Sequence, residues 1–168
     1  MALRMNLIVG SVAGALFAIS GMSAVMAQDM PARIDDKDKA AAAVKARTDV
    51  MMAQGANEKL LVSVMKGEAP LDAKAITAAE QNLASVKTLT MHFAPGTGDD
   101  AVPGSRARAS IWKEWDKYKQ LTSAVIPPAT ATLAAAKAGN QAAFAEQQQA
   151  TSAACAACHK EYRAPRQR

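Results

Sequence analysis

The nine residues Cys155-Ala156-Ala157-Cys158-His159-Lys160-Glu161-Tyr162-Arg163 restrict the fold more than any other stretch of the chain. On a helix, Cys155, Cys158 and His159 occupy positions i, i+3 and i+4 and share one face. Two thiols and an imidazole so placed meet a single flat ligand, and Cys-x-x-Cys-His is an attachment pattern for a c-type haem. The thiols would add to the two vinyl groups and His159 would bind the iron. The motif also continues an inward stripe: Phe144, Gln148, Thr151, Cys155, Cys158 and Tyr162 step by threes and fours along one long C-terminal helix. Thiol–disulfide exchange is the competing reading of Cys-x-x-Cys. Against it, these are the only two cysteines, and no βαβ pattern surrounds them.

Residues 1–27 read as a secretory signal peptide. Arg4 supplies the positive end, Leu7 to Ile19 is apolar apart from small residues, and Val25-Met26-Ala27 offers a cleavage site. The apolar run falls short of the roughly 20 residues a membrane-spanning helix needs. Cleavage after Ala27 leaves 28–168 as a single domain, 141 residues in length. The expected location is the periplasm, an oxidising compartment in which two free thiols tend to pair and thioether formation removes that option.

Arg4 is the only charge lost with the signal, so the mature chain keeps 19 basic and 15 acidic side chains, a net +4. The excess is small and scattered, and aromatics make up only 4% of the chain. That composition argues against a nucleic-acid surface and mildly favours acidic partners or anionic membrane surfaces. Neither a carboxylate pair nor a Ser/His/Asp set at enzymatic spacing stands out, so the chain does not read as an enzyme.

Four helices follow from the pattern. The first starts at Asp35 or Asp36, runs through the alanine-rich Ala40 to Ala43, and ends at Lys66 before Gly67 and Pro70. Arg47, Met51 and Gly55 fall four apart on one stripe, and a glycine inside a helix implies a packing reason. Asp72 caps a second helix carrying Ile76, Ala79, Leu83, Val86 and Leu89 inward. Phe93 to Arg106 is rich in Gly, Pro and Asp and reads as a crossover loop. A third helix, beginning near Ser105 to Ser110, turns Ile111, Trp115, Tyr118, Leu121 and Val125 inward. It breaks or kinks at Pro127-Pro128 and resumes through Leu133 to Ala138. Gly139-Asn140 separates it from the motif helix. No alternating strand pattern occurs, and the expected fold is all-α, an antiparallel up-down-up-down four-helix bundle with covalently attached haem.

With Cys155-x-x-Cys158-His159-x-x-Tyr162-Arg163 near the C-terminus of such a chain, the sequence resembles the class II c-type cytochromes, the cytochrome c′ family. Arg47-x-x-x-Met51, Lys66-Gly67-Glu68-Ala69-Pro70-Leu71-Asp72, Gly96-Thr97 and Ile111-Trp112 carry the resemblance across nearly the whole mature chain. It implies that the first helix covers the haem face opposite His159. The family position fifteen residues before the lysine of the Lys-Gly segment, over the iron, is Met51. Methionine there resembles the six-coordinate, low-spin branch, with His159 and Met51 as iron ligands. The resemblance also implies that Arg47 meets a haem propionate, with Thr48 as a further hydrogen-bonding candidate. Pro127-Pro128 departs from the family's uninterrupted third helix.

These readings lead to a periplasmic electron carrier with one haem c bound through Cys155 and Cys158, its partners redox proteins in transient encounters. A thioether ligand favours ferrous iron and raises the potential relative to a second nitrogen ligand. The alternative is a five-coordinate haem protein binding nitric oxide or carbon monoxide, which follows if Met51 stays off the iron. Members of the family often form homodimers through the first two helices. His92, the other histidine, reads as an exposed or capping residue at a helix–loop junction, and Trp112, Trp115 and Tyr118 as core and rim aromatics.

Overall fold

The computed structural model describes residues 29–166, and the expected signal peptide lies outside them. Capping chemistry sets the helix starts. The Asp36 carboxylate accepts from the Lys39 amide at 2.9 Å and opens α1, Lys37–Met65. The Asp72 carboxylate accepts from the Lys74 and Ala75 amides at 2.9 and 3.1 Å and opens α2, Ala73–Lys87. Each bond satisfies an amide that has no partner within its own helix, worth about 1 kcal/mol. Between the two, Gly67 takes a φ of +76°, a left-handed conformation that ends α1.

Leu89–His92 forms a 3-10 turn after α2, and the long connection that follows is built rather than loose. Phe93, Thr97, Val102 and Ser105 are buried in it. At Gly96 the φ is +87°, and a Cβ there would run into the Ile34 carbonyl. Ile34 in turn donates its amide to the Pro95 carbonyl at 2.9 Å.

The third arm of the bundle comes in three pieces: α3 (Ser110–Lys113), α4 (Trp115–Ser123) and α5 (Ile126–Lys137). A single break at Pro127-Pro128 was the expectation, and the structure corrects it twice. A first interruption falls at Glu114, whose backbone leaves the helical region at φ −119°, ψ 40°. The second falls at Ala124-Val125, ahead of the prolines, which occupy the first turn of α5. Amides in that turn have no intrahelical acceptor, so proline's missing N–H costs nothing there.

Asn140 caps α6, Gln141–Tyr162, by accepting from the Ala143 amide at 3.1 Å. Helix α1 packs on α2, α2 on α5, α5 on α6 and α6 back on α1, closing an antiparallel four-helix bundle. Among the described residues there is no strand, only an isolated antiparallel bridge between Ala107 and Arg163. No described helix is long and apolar enough to cross a membrane.

The two ends of the bundle are packed differently. Near Gly67 and Gly139 the core is small and tight, with Ala75, Ala78, Ala79, Ala135 and Ala136 around Leu61, Val64 and Phe144. Burying a side chain such as Phe144 or Leu61 stabilises the fold by about 1.5–3 kcal/mol. The opposite end is aromatic: Phe93, Trp115, Tyr118 and Tyr162 with Leu89, Ala107 and Ile111. Large rings hold the helices apart there, and the sequence motif lies at that end.

Candidate functional site

Helix α6 brings Cys155, Cys158 and His159 to the interior side as half-buried groups. Cys158 packs on the aromatic cluster, and Cys155 packs on a second cluster formed by Leu83, Val86, Val125 and Ala129. Both thiols are free. Burial pushes each of them up to about 11, with the Glu58 carboxylate adding to the effect on Cys155 and Cys155 adding to that on Cys158. Thiols of that kind are protonated and unreactive at neutral pH, which argues against exchange chemistry. His159 is shifted the other way. Burial lowers its pKa, and the Arg163 and Arg106 cations lower it further, so the imidazole is neutral and its nitrogen lone pair is available to a metal.

From the facing helix, α1 sends Met51 onto the same aromatic cluster that receives Cys158. Met52 is 68% exposed and turned away, as one helical step of about 100° requires. Gly55, one turn beyond Met51, is exposed, and a Cβ built on it would meet no atom within 4 Å. The packing reason expected for this glycine is therefore not found among the protein's own atoms.

Arg47 is buried, 5% exposed, and its guanidinium is spent on the loop. Nη1 donates to the Thr97 hydroxyl at 2.8 Å and to the His92 carbonyl at 3.4 Å. Nη2 donates to the Thr97 carbonyl at 2.9 Å and the Ser105 hydroxyl at 3.0 Å. The cation also lies 4.9 Å over the Phe93 ring. Its acceptors are all neutral, and desolvation lowers its pKa. His92, half-buried, contributes its backbone carbonyl to this set. Thr48 is exposed and returns its hydroxyl to the Val44 carbonyl of its own helix at 2.8 Å.

Sequence reasoning passed over two groups. The Glu58 carboxylate, seven residues beyond Met51 on α1, accepts from Gln148 Nε2 at 3.0 Å and from the Ser152 hydroxyl, tying α1 to α6 one turn before Cys155. A charged residue on an inward stripe was the signal available. Tyr118, expected only as a core or rim aromatic, is 1% exposed, and its hydroxyl has no hydrogen-bond partner among the described residues. Leaving a buried hydroxyl unpaired costs about 1–3 kcal/mol, which the sequence could not display.

The loop and the chain end close the site. Arg108 donates its amide to the Tyr162 carbonyl at 3.0 Å, and Ala164 donates to the Arg106 carbonyl at 2.8 Å. Tyr162 donates its hydroxyl to Glu114 at 3.0 Å. Among the described residues no three His, Cys, Asp or Glu side chains gather as a bare metal site. The donor set fits a haem instead: two thiols one helical turn apart, a neutral imidazole beside them, a thioether on the facing helix, open space at Gly55 and an unpaired buried hydroxyl.

Known proteins resemble this chain in sequence and in fold. The profile of the family described as Cytochrome C' matches residues 42–163. Cytochrome c' of Pararhodospirillum photometricum is 30% identical over 120 residues, covering 71% of this chain and 94% of that protein. Cytochrome c-556 of Agrobacterium tumefaciens (strain II Chrys) is 32% identical over 121 residues, covering 71% and 95%. Among solved structures, cytochrome c' from Rhodobacter Spheriodes superposes with a TM-score of 0.69 at 29% identity, covering 76% of this chain and 98% of that one. A ferrous variant of cytochrome c prime from Alcaligenes xylosoxidans with bound NO gives 0.66 at 28% identity, covering 74% and 94%. With the bundle, the Cys-x-x-Cys-His helix and the facing Met51 all in place, the match over residues 42–163 leaves one assignment: the chain belongs to the cytochrome c' family of haem proteins.

Proposed function

We propose that the protein carries one haem c, attached through Cys155 and Cys158 with His159 as its proximal ligand, and binds a small diatomic gas, nitric oxide or carbon monoxide, on the Met51 side. The observation that carries the gas-binding reading is the likeness in fold, at TM-scores of 0.66 and 0.68, to variants of cytochrome c prime from Alcaligenes xylosoxidans solved with NO and with carbon monoxide. These relatives favour gas binding over the electron-carrier function that the sequence suggested first. When bound, ferrous haem would supply a coordination position for the diatomic.

The chain's own residues supply the rest. His159, kept neutral by burial and by the Arg163 and Arg106 cations, would present an unprotonated nitrogen to the iron. Phe93, Trp115, Tyr118 and Tyr162 wall the site with apolar surface and keep water out. Met51, half-buried on that wall, guards the approach from α1. The Glu58 bridge to Gln148 and Ser152 fixes the spacing of the two helices.

Electron transfer through a His159/Met51-ligated haem is the second reading, and the placement of Met51 favours it. The spin state of the purified protein separates the two. A high-spin ferrous form that takes up carbon monoxide supports gas binding, and a low-spin ferrous form indifferent to it supports the carrier. Location in the periplasm, acidic redox partners and pairing through the outer faces of α1 and α2 are part of the same proposal. Size-exclusion chromatography of the exported protein tests the last of these.

A further inference from the structure

We propose that the Tyr118 hydroxyl donates a hydrogen bond to a haem propionate, the same carboxylate that Arg47 would neutralise, so that α1 and α4 each supply one donor to a single carboxylate site. This rests on the haem assignment above and deepens it.

Two unmet demands lie side by side in the aromatic end of the bundle. One is the Arg47 cation, buried and bonded only to the neutral oxygens of His92, Thr97 and Ser105. A buried charge without a counter-ion is unfavourable, because neutral acceptors do not replace the water it lost. The other is the Tyr118 hydroxyl, almost fully buried and unpaired. Phe93 joins them. Its ring centre is 4.9 Å from the Arg47 guanidinium carbon and 5.1 Å from the centre of the Tyr118 ring.

Ring packing alone does not call for the hydroxyl. Tyr118 stacks on Trp115 at 5.4 Å and meets the edge of Tyr162 at 5.4 Å, and a phenylalanine would make both contacts. Tyr162, in the same cluster, gives its own hydroxyl to Glu114, so an unpaired phenol is not general there. Cys158 of the haem-attaching helix packs on the same cluster as Tyr118. A carboxylate answers both demands at once, accepting a charge-assisted bond from the Tyr118 hydroxyl and from Arg47 Nε, the guanidinium N–H that the four loop bonds leave over. The Met51 thioether is a weak acceptor and leaves the cation unanswered.

The test uses the ferric holoprotein, with haem content first established by pyridine haemochrome. Tyr118→Phe is expected to shift the propionate bending band in the resonance Raman spectrum to lower frequency. It should also lower the midpoint potential, since a propionate that loses a donor carries more negative charge and favours ferric iron. Thr122→Val removes a different buried hydroxyl of α4, one that bonds only the Tyr118 and Lys119 carbonyls of its own helix, and is expected to leave both readings in place. In the wild-type protein the band is expected to move on transfer to D2O, and to move less in Tyr118→Phe, where only the Arg47 donor remains at that carboxylate. An unmoved band in Tyr118→Phe, an equal D2O shift in both proteins, or an equal shift in Thr122→Val overturns the proposal while leaving the haem assignment intact. A wild-type protein with no covalent haem overturns both.

Discussion

Arg47 grips Thr97 at both of its polar ends, donating from Nη1 to the hydroxyl at 2.8 Å and from Nη2 to the carbonyl at 2.9 Å. Through that one residue, α1 holds the long loop against the aromatic end of the bundle. The same loop pairs with the end of α6 at Ala107 and Arg163. Helix α1, which bears Met51, and helix α6, which bears the cysteines, are thereby coupled through a segment that belongs to neither.

Arg47→Leu should therefore cost more than a surface charge. Hydrogen bonds from a charged donor contribute about 1.5–3 kcal/mol each, offset in part by relief of the buried cation's desolvation, so a net loss of about 2–4 kcal/mol is expected. Urea denaturation of the holoprotein measures it. A midpoint equal to that of the wild type would show that the loop does not depend on this contact.

Glu58→Ala should loosen the α1–α6 contact. It removes the nearer of two acceptors of Gln148 Nε2, in a side chain that is fully buried, and the acceptor of the Ser152 hydroxyl. Gln148 Oε1 is already unpaired, and the substitution leaves Nε2 with only the Ser152 hydroxyl at 3.3 Å, so a loss of about 1–3 kcal/mol is expected. The same urea titration reports it, and Glu58→Gln should recover part of the loss because an amide oxygen still accepts.

The helices were legible because their signals are local. Asp36, Asp72 and Asn140 announce helix starts, Gly67 and Gly139 announce ends, and the threes and fours of Phe144 to Tyr162 mark the inward side of α6. The break at Glu114 was not legible, since nothing in Trp112-Lys113-Glu114-Trp115 forbids a helix. The loop contacts and the Tyr162–Glu114 bond form around it. In the site, Met51 and the motif were visible because each carries distinctive chemistry at helical spacing. Thr97, Ser105 and the Tyr118 hydroxyl were not. Their roles depend on residues 45 or more positions away in some cases, and a polar atom that lacks a partner leaves no mark in the sequence.

The thiols give a pH-dependent expectation for protein whose cysteines have not been joined to haem. Burial raises Cys155 and Cys158 from 9.0 to about 11 in the folded chain. A raised folded value means that the stabilising protonated form is fully present below pH 9. As the pH climbs from 9 through 11, the unfolded chain loses these protons more readily, and stability falls. Thermal melting should decline across that window in the unmodified protein and not in the Cys155→Ala/Cys158→Ala form. At pH 7 the thiolate fraction, and with it the rate of alkylation by iodoacetamide, should be roughly a hundredfold below that of a thiol at its ordinary pKa. Rapid alkylation would restore the case for thiol–disulfide exchange.

Met51→Ala bears most directly on function, because both readings of the haem run through that side chain. Met51 is half-buried against the cluster that also receives Cys158, so truncating it should cost about 1–2 kcal/mol, less than a fully enclosed methionine. Haem should remain covalently attached, since Cys155 and Cys158 lie on the facing helix and do not depend on it. If Met51 guards an open iron, its loss removes a steric barrier. If it ligates the iron, its loss removes a competitor for the same position. Either way carbon monoxide should bind the ferrous protein at least about tenfold faster, equivalent to about 1.4 kcal/mol of barrier. The starting spectrum then separates the cases: a low-spin wild type that turns high-spin identifies a ligand, and a wild type already high-spin identifies a guard. An unchanged spectrum together with an unchanged carbon monoxide rate would remove Met51 from the site altogether.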